Sequence, residues 1–220
     1  MIALSCSIVS RQFTTPSWVI ILIMQLSEAI SCATSPNAKF IVETLPKETK
    51  IIFGPDKNLG NYINSVTNRE MILWDGACHV HEKFSLEKIL KLKADNPDSQ
   101  LISHPECKKN ILLVSDFVGS TAALLSYATN SPKQKFIVAT ESGILHQMQI
   151  ANPSKIFIPA PPNDSSCACN DCEFMKLNTL AKILDCLENE VNEILIDESL
   201  RLKAYTSISK MLELSKKYIQ

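Results

Sequence analysis

The chain has 220 residues, with 22 Lys and Arg against 23 Asp and Glu, eight Cys, four His and five Gly. Its length suits one large domain or two small ones with proper cores. A net charge of −1, a pI ≈ 6.4 and no block of like charges exclude an electrostatic attraction to nucleic acid or an anionic membrane surface. A hydrophobic share of 45% with 20% charged residues excludes a disordered chain. All the glycines and histidines fall between residues 54 and 146, so special backbone geometry and titratable chemistry are concentrated in the middle.

Residues 1–17 show no clear periodicity and stay unplaced. The apolar run Trp18-Val-Ile-Ile-Leu-Ile-Met24 is far too short to span a bilayer. It reads either as part of a secretory leader, with Arg11 before it and a lipoprotein-like Ala29-Ile-Ser-Cys32 after it, or as a buried strand over 18–24 followed by a short helix. The single basic residue and the polar Gln25-Leu-Ser-Glu28 interruption favour the strand.

From residue 50 one pattern recurs: a short β-branched run that stops at polar or turn residues. Lys50-Ile-Ile-Phe53 runs into Gly54-Pro-Asp-Lys-Asn-Leu-Gly60, where the two glycines bracket a turn. Leu101-Ile102 runs into Ser103-His-Pro-Glu-Cys107, Phe136-Ile-Val138 into Ala139-Thr-Glu-Ser-Gly143, and Ile156-Phe-Ile158 into Pro159-Ala-Pro-Pro162. Helical patterns lie between, as in 85–93, where Leu86, Ile89 and Leu90 share a face beneath a Ser85 N-cap. Alternating strands and helices predict an α/β fold with parallel sheets, whose ligands bind beyond the carboxyl ends of the strands. Two amphipathic helices follow, over 175–188 and 198–218, with packing as their role.

Polar clusters at the strand ends carry the candidate chemistry. Trp74-Asp-Gly-Ala-Cys-His-Val-His-Glu82 gathers a thiol, two imidazoles and two carboxylates, but Cys78-His-Val-His81 lacks the paired spacing of a self-contained zinc knuckle and equally suits a loop Cys with surface His. In Ser103-His-Pro-Glu-Cys107, Pro105 biases His104 toward an extended conformation. His104 and Glu106 would then face one side, as an acid/base pair or as a capped strand end. Asp116-Phe-Val-Gly-Ser-Thr121 leads into a helix and is either an anion cradle at its N-terminus, with Gly119 allowing close approach, or an ordinary N-cap. Cys167-Ala-Cys-Asn-Asp-Cys172 signals metal or redox chemistry; a dithiol at Cys169 and Cys172 and iron–sulfur ligation both remain open.

Together these segments resemble the quinolinate synthase family. The matches are Phe53-Gly-Pro-Asp-Lys-Asn-Leu-Gly60, Trp74-Asp-Gly-Ala-Cys-His-Val-His81, His104-Pro-Glu-Cys107, Asp116-Phe-Val-Gly-Ser-Thr121, Ala139-Thr-Glu-Ser-Gly-Ile-Leu-His146 and Cys172-Glu-Phe-Met-Lys-Leu-Asn-Thr-Leu180, with Cys32-Ala-Thr-Ser-Pro-Asn-Ala38 extending them upstream. The resemblance implies three similar three-layer α/β domains around a pseudo-threefold axis and one cysteine from each on a [4Fe–4S] cluster. It also implies a cytoplasmic enzyme of NAD biosynthesis that condenses iminoaspartate with dihydroxyacetone phosphate, with L-aspartate oxidase as a functional partner. Carried over by motif, Cys78 and Cys172 would be cluster ligands, with Cys167 and Cys169 auxiliary thiols. His81 and His104 would be catalytic and contact substrate, and Glu106 would be the general acid/base. Ser35, Ser120 and Thr121 would hold carboxylate or phosphate oxygens.

The family's opening motifs, including that of its first cluster cysteine, find no match here, and Cys6 lacks their surroundings. The chain is therefore expected to hold roughly the C-terminal two-thirds of the family's length. That divides it into an unplaced 1–17, a second domain over 18–78, a third over 79–172, and helices over 173–220 whose partner would be the missing first domain. The cluster would then be short of one ligand, which leaves open a remnant or metal-binding module without turnover. A thiol–disulfide protein using Cys169 and Cys172 is a further reading.

Overall fold

Strands of a parallel sheet are covered by crossover helices and need apolar side chains on both faces. The β-branched runs of this chain meet that demand in two separate sheets. The computed structural model describes residues 2–3, 31–163 and 170–216. The strand expected over 18–24, its following helix, and Cys6, Cys167 and Cys169 lie outside the described residues.

In the first sheet β1 (Ile2–Ala3), β2 (Ile52–Phe53) and β3 (Ile72–Leu73) lie in that order, all parallel, with Ile52 opposite Ile72 and Phe53 opposite Leu73. Helix α1 (Ala38–Glu43) precedes β2, and α2 (Lys57–Thr67) connects β2 to β3. Asp56 starts α2 by accepting the N–H groups of Asn58 and Leu59, and Asn68 ends it in the left-handed region at φ 52°. Ala38, Ile41, Val42, Phe53, Leu59 and Ile63 form one buried core. Each of its larger side chains contributes about 1.5–3 kcal/mol.

Gly60, expected to close a turn, lies inside α2. A Cβ there would stand 2.6 Å from Leu73 Cδ2 and 3.0 Å from Phe53 Cδ1, so the missing side chain lets the helix rest on the strands. The turn itself is only residues 54–56.

After β3 come α3 (His79–Glu82) and α4 (Leu86–Asp95), capped by Ser85, which accepts the Lys88 N–H at 3.3 Å. The second sheet follows as β4 (Gln100–Ser103), α5 (Lys109–Leu112), β5 (Phe117–Val118), α6 (Thr121–Asn130), β6 (Lys135–Ala139), α7 (Gly143–Ala151) and β7 (Ile156–Pro159). Its order is β5-β4-β6-β7, all parallel. The pleat sends Leu101, Ile137 and Ala139 to one core with Ile89 of α4 and Ile111 of α5. Ile102, Phe136 and Val138 go to the other, with Leu124 and Ala128 of α6 and Met148 of α7. The unit is thus three-layered, and the fold is the predicted α/β class with parallel sheets.

Beyond a 3₁₀ turn at Met175–Leu177, α8 (Leu180–Asn189) and α9 (Glu198–Lys216) match the expected amphipathic periods. They differ in partners. Helix α9 returns to the first core, where Met211 and Leu214 pack, Cys32 N–H donates to Ser207 O at 3.4 Å and Asn37 Nδ2 donates to Ser215 Oγ at 2.9 Å. Helix α8 leaves Leu180 86% and Leu187 75% exposed. No helix among the described residues is long and apolar enough to cross a membrane.

Arg69 fastens the first unit. Its buried guanidinium donates to the carbonyls of Pro46 at 2.7 Å, Lys47 at 3.2 Å and Val42 at 3.2 Å, and to that of Leu45, and so ties one carbonyl of the last turn of α1 to three of the turn that follows it. Arg69→Met keeps the stem but strands those acceptors, and should cost about 2–4 kcal/mol of stability, read as a lower midpoint in thermal or urea unfolding.

Candidate active site

In an open parallel sheet the crevice lies where successive connections leave a strand in opposite directions. Here that point falls between β4 and β6, since β4 connects to β5 on one side and β5 then leads to β6 on the other. Ser103 pairs with Ala139 across it, and His104 N–H donates to Ala139 O at 3.0 Å. The residues just past these ends, His104 and Thr140, therefore face each other across the crevice.

His104-Pro105-Glu106-Cys107 is a tight turn closed by Cys107 N–H on His104 O at 3.0 Å, not the extended segment expected from Pro105. A proline at the second turn position suits this conformation. The turn still brings both side chains to one place: Glu106 N–H reaches His104 Nδ1 at 3.4 Å, and Glu106 Oε2 lies 3.9 Å from the same nitrogen. His81, from α3, stacks on His104 with ring centroids 4.7 Å apart and its Nδ1 3.2 Å from Glu106 Oε2. All three side chains are buried.

These neighbours set the proton affinities apart. Burial works against a charge on His81, but the hydrogen bonds and charges of Cys78 and Glu106 outweigh it and push its pKa up to about 9. Burial first, and then the charge of His81, pull His104 down to about 4 despite Glu106. One imidazole of the stacked pair therefore holds a proton that the other refuses.

Cys78 is placed by Asp56, a fully buried carboxylate at the end of β2. Its Oδ1 caps α2, and its Oδ2 accepts the Cys78 N–H at 2.6 Å. Burial raises Asp56 to about 6, with the charge of Glu106 adding to the shift and the three N–H donors opposing it. Glu141, past β6, repeats the device by accepting Gly143 N–H at the start of α7 at 2.8 Å and Cys172 N–H at 3.3 Å. The two thiol-bearing loops also touch, His79 meeting Phe174 edge-on at 5.1 Å. Cys78 and Cys172 are free thiols, both half-exposed.

The structure thus joins Cys78, His81, His104 and Glu106 directly, and Cys172 through Glu141 and Phe174. Ser120 follows the end of β5, where its hydroxyl caps α6 by accepting Ala123 N–H at 3.3 Å, and Thr121 beside it is exposed. Gly119 owes its size to packing, because a Cβ would stand 2.9 Å from both Ala123 and Phe117. Asp116 is spent on the sheet, accepting from Leu101 N–H and Lys93 Nζ, each at 2.7 Å. Ser35 lies in the turn before α1, and nothing described connects it to the imidazole pair. Asp56, Thr140 and Glu141 belong to the quoted motifs but drew no role from sequence; only Asp56 carried a readable signal, as an N-cap.

The arrangement is that of an α/β protein with a buried acid–base cluster and two half-exposed free thiols, Cys78 and Cys172, beyond the carboxyl ends of its strands. The family model described as "Quinolinate synthetase A protein" matches residues 25–213. The chain is 52% identical over 194 residues to a quinolinate synthase of Chloroherpeton thalassium, covering 88% of this chain and 60% of that protein. It is 51% identical over 193 residues to one of a Synechococcus sp., with the same coverage, and 52% identical over 182 residues to one of a Nostoc sp., covering 83% and 56%. The chain belongs to the quinolinate synthase family and spans about 60% of the length of such relatives.

Asp56→Ala removes a helix cap and the acceptor of the Cys78 amide together. It should cost about 1–3 kcal/mol and speed hydrogen exchange at the Cys78 N–H, measured by denaturant titration and by amide exchange.

Proposed function

We propose that the crevice performs the family's condensation of iminoaspartate with dihydroxyacetone phosphate to quinolinate, in the cytoplasm, as a step of NAD biosynthesis. In this reading the two sheets are two of three similar α/β units, and L-aspartate oxidase is the functional partner that supplies the imine. The observation that carries the reading is the burial of Glu106 against the stacked imidazoles of His81 and His104, beside Cys78.

The donor set suits an iron–sulfur cluster as far as it goes. Cys78 and Cys172 are unpaired, half-exposed thiols whose backbones are each pinned by a carboxylate and whose loops adjoin. They would hold two positions of a [4Fe–4S] cluster, the third protein ligand coming from outside the described residues. When bound, the cluster supplies Lewis-acid iron.

The side chains of this chain would do the rest. Protonated His81 offers positive charge to a substrate carboxylate, while neutral His104 can accept or donate at its remaining ring position. Glu106, within reach of both, shuttles the protons that isomerisation and dehydration require. Ser120, whose oxygen is engaged by the Ala123 amide, retains its hydroxyl proton for an anionic oxygen. Thr121 and Ser35 add further hydroxyls for the phosphate or carboxylates.

Anaerobic reconstitution with iron and sulfide should give the broad visible absorbance of a cluster and quinolinate from the two substrates. Glu106→Gln should retain the absorbance and lose about 10²–10⁴-fold in turnover, whereas Cys172→Ser should lose both. Neither absorbance nor quinolinate from the reconstituted chain would reject the reading for this chain.

A further inference from the structure

We infer that Thr140 is a positioning residue for His81: its hydroxyl holds one edge of the imidazole so that the other stays on Glu106, the acid/base of the reaction proposed above, on which this inference rests. Thr140 Oγ1 lies 3.1 Å from His81 Nε2, and both side chains are buried. The other ring nitrogen, Nδ1, stands 3.2 Å from Glu106 Oε2. His104 stacks on the ring at a centroid distance of 4.7 Å, and Phe84 lies tilted to it at 6.2 Å.

The faces and the edges of the ring do different work. Turned over about its Cβ–Cγ bond, the imidazole would keep its place and shape but present carbon to both Glu106 and Thr140. Packing on the faces does not distinguish the two orientations. Polar partners at the edges do, and Thr140 supplies the one at Nε2.

A hydroxyl suits that place because it both donates and accepts. It accepts from Nε2–H while the ring carries a hydrogen there, and donates to Nε2 when it does not. One side chain therefore keeps the ring in a single orientation while Glu106 gains and loses protons. A carboxylate could only accept at this position, and an ammonium could only donate.

Thr140 is itself held on both sides. It follows Ala139, whose carbonyl takes the His104 N–H at 3.0 Å. It precedes Glu141, whose carboxylate takes the N–H groups of Gly143 at 2.8 Å and Cys172 at 3.3 Å. Being β-branched, its side chain has few rotamers in which to leave the ring. The support comes from the loop after β6, so the aim of His81 is set by an element other than α3, which carries it.

Thr140→Val keeps the shape and removes the hydroxyl, whereas Thr140→Ser keeps the hydroxyl. In the cluster-free chain labelled with ¹⁵N-histidine at neutral pH, the expected spectrum holds a His81 Nε2–H resonance that is protected from solvent exchange and cross-relaxes with the Thr140 methyl. Thr140→Val should lose the protection, and Thr140→Ser should keep it. In the reconstituted chain Thr140→Val should lower kcat about 10–100-fold with KM changed less than about threefold, and Thr140→Ser should return kcat to within about threefold. A protected Nε2–H in Thr140→Val, a change in KM alone, or no rescue by serine would each overturn the inference. A reconstituted chain that makes no quinolinate but shows the resonance and its dependence on Thr140 rejects the enzymatic reading and supports the positioning of His81. Turnover and resonance both indifferent to Thr140 do the reverse.

Discussion

A carboxylate leaves water only where donors or positive charge replace its hydration. Asp56 and Glu106 are both buried here, and their charges raise the cost further by repelling each other. Asp56 is satisfied by the backbone, through two amides of α2 and one at Cys78. Glu106 is paired with the imidazole of His81. Much else follows from that division, because the groups meeting the carboxylates come from different elements. The loop after β3 must close over the start of α2 to deliver the Cys78 amide, and α3 must lean on the turn after β4 to deliver His81. Polar contacts hold the same seam from outside, where Glu82 accepts from Asn58 Nδ2 at 2.7 Å and pairs with Lys108 at 3.3 Å.

The two thiol loops are organised alike. Each carboxylate, Asp56 and Glu141, follows a strand, takes an N–H near the start of the next helix, and takes the N–H of a cysteine. Such an anchor restrains the thiol through its main chain. Thr140 and Glu141, neighbours on one loop, tie His81 and Cys172 respectively, so a shift of that loop would move both ends of the crevice.

Strands β2, β4, β6 and β7 were legible because short apolar runs flanked by Gly, Pro and Ser have few alternatives, whereas β1, β3 and β5, two residues each, are too short to carry a period and were not read. Cap residues were equally legible at Ser85 and Ser120, whose hydroxyls do accept the expected amides. Gly60 misled because its reason for being glycine is Leu73, a contact between elements rather than a local turn. His104 and Glu106 were rightly placed together for an inexact reason, a turn having replaced the extended segment. The role of Thr140 could not be read, since its partner His81 is 59 residues away and reaches it only once α3 has packed on the ends of β4 and β6. Periodicity found both terminal helices, but it carries no information on which one finds a partner.

The return of α9 to the first core also bears on the order of events in folding. Cys32 and Ser207 are 175 residues apart, and Asn37 and Ser215 are 178 apart. Met211 and Leu214 nevertheless help to seal the core that α1 and α2 begin. A chain emerging from the ribosome can complete the β4–β7 unit from local segments alone. The earlier unit must wait with its apolar face open until the late helix arrives. The first core is therefore closed by the last described helix, whereas the two cores of the β4–β7 unit take no residue from it.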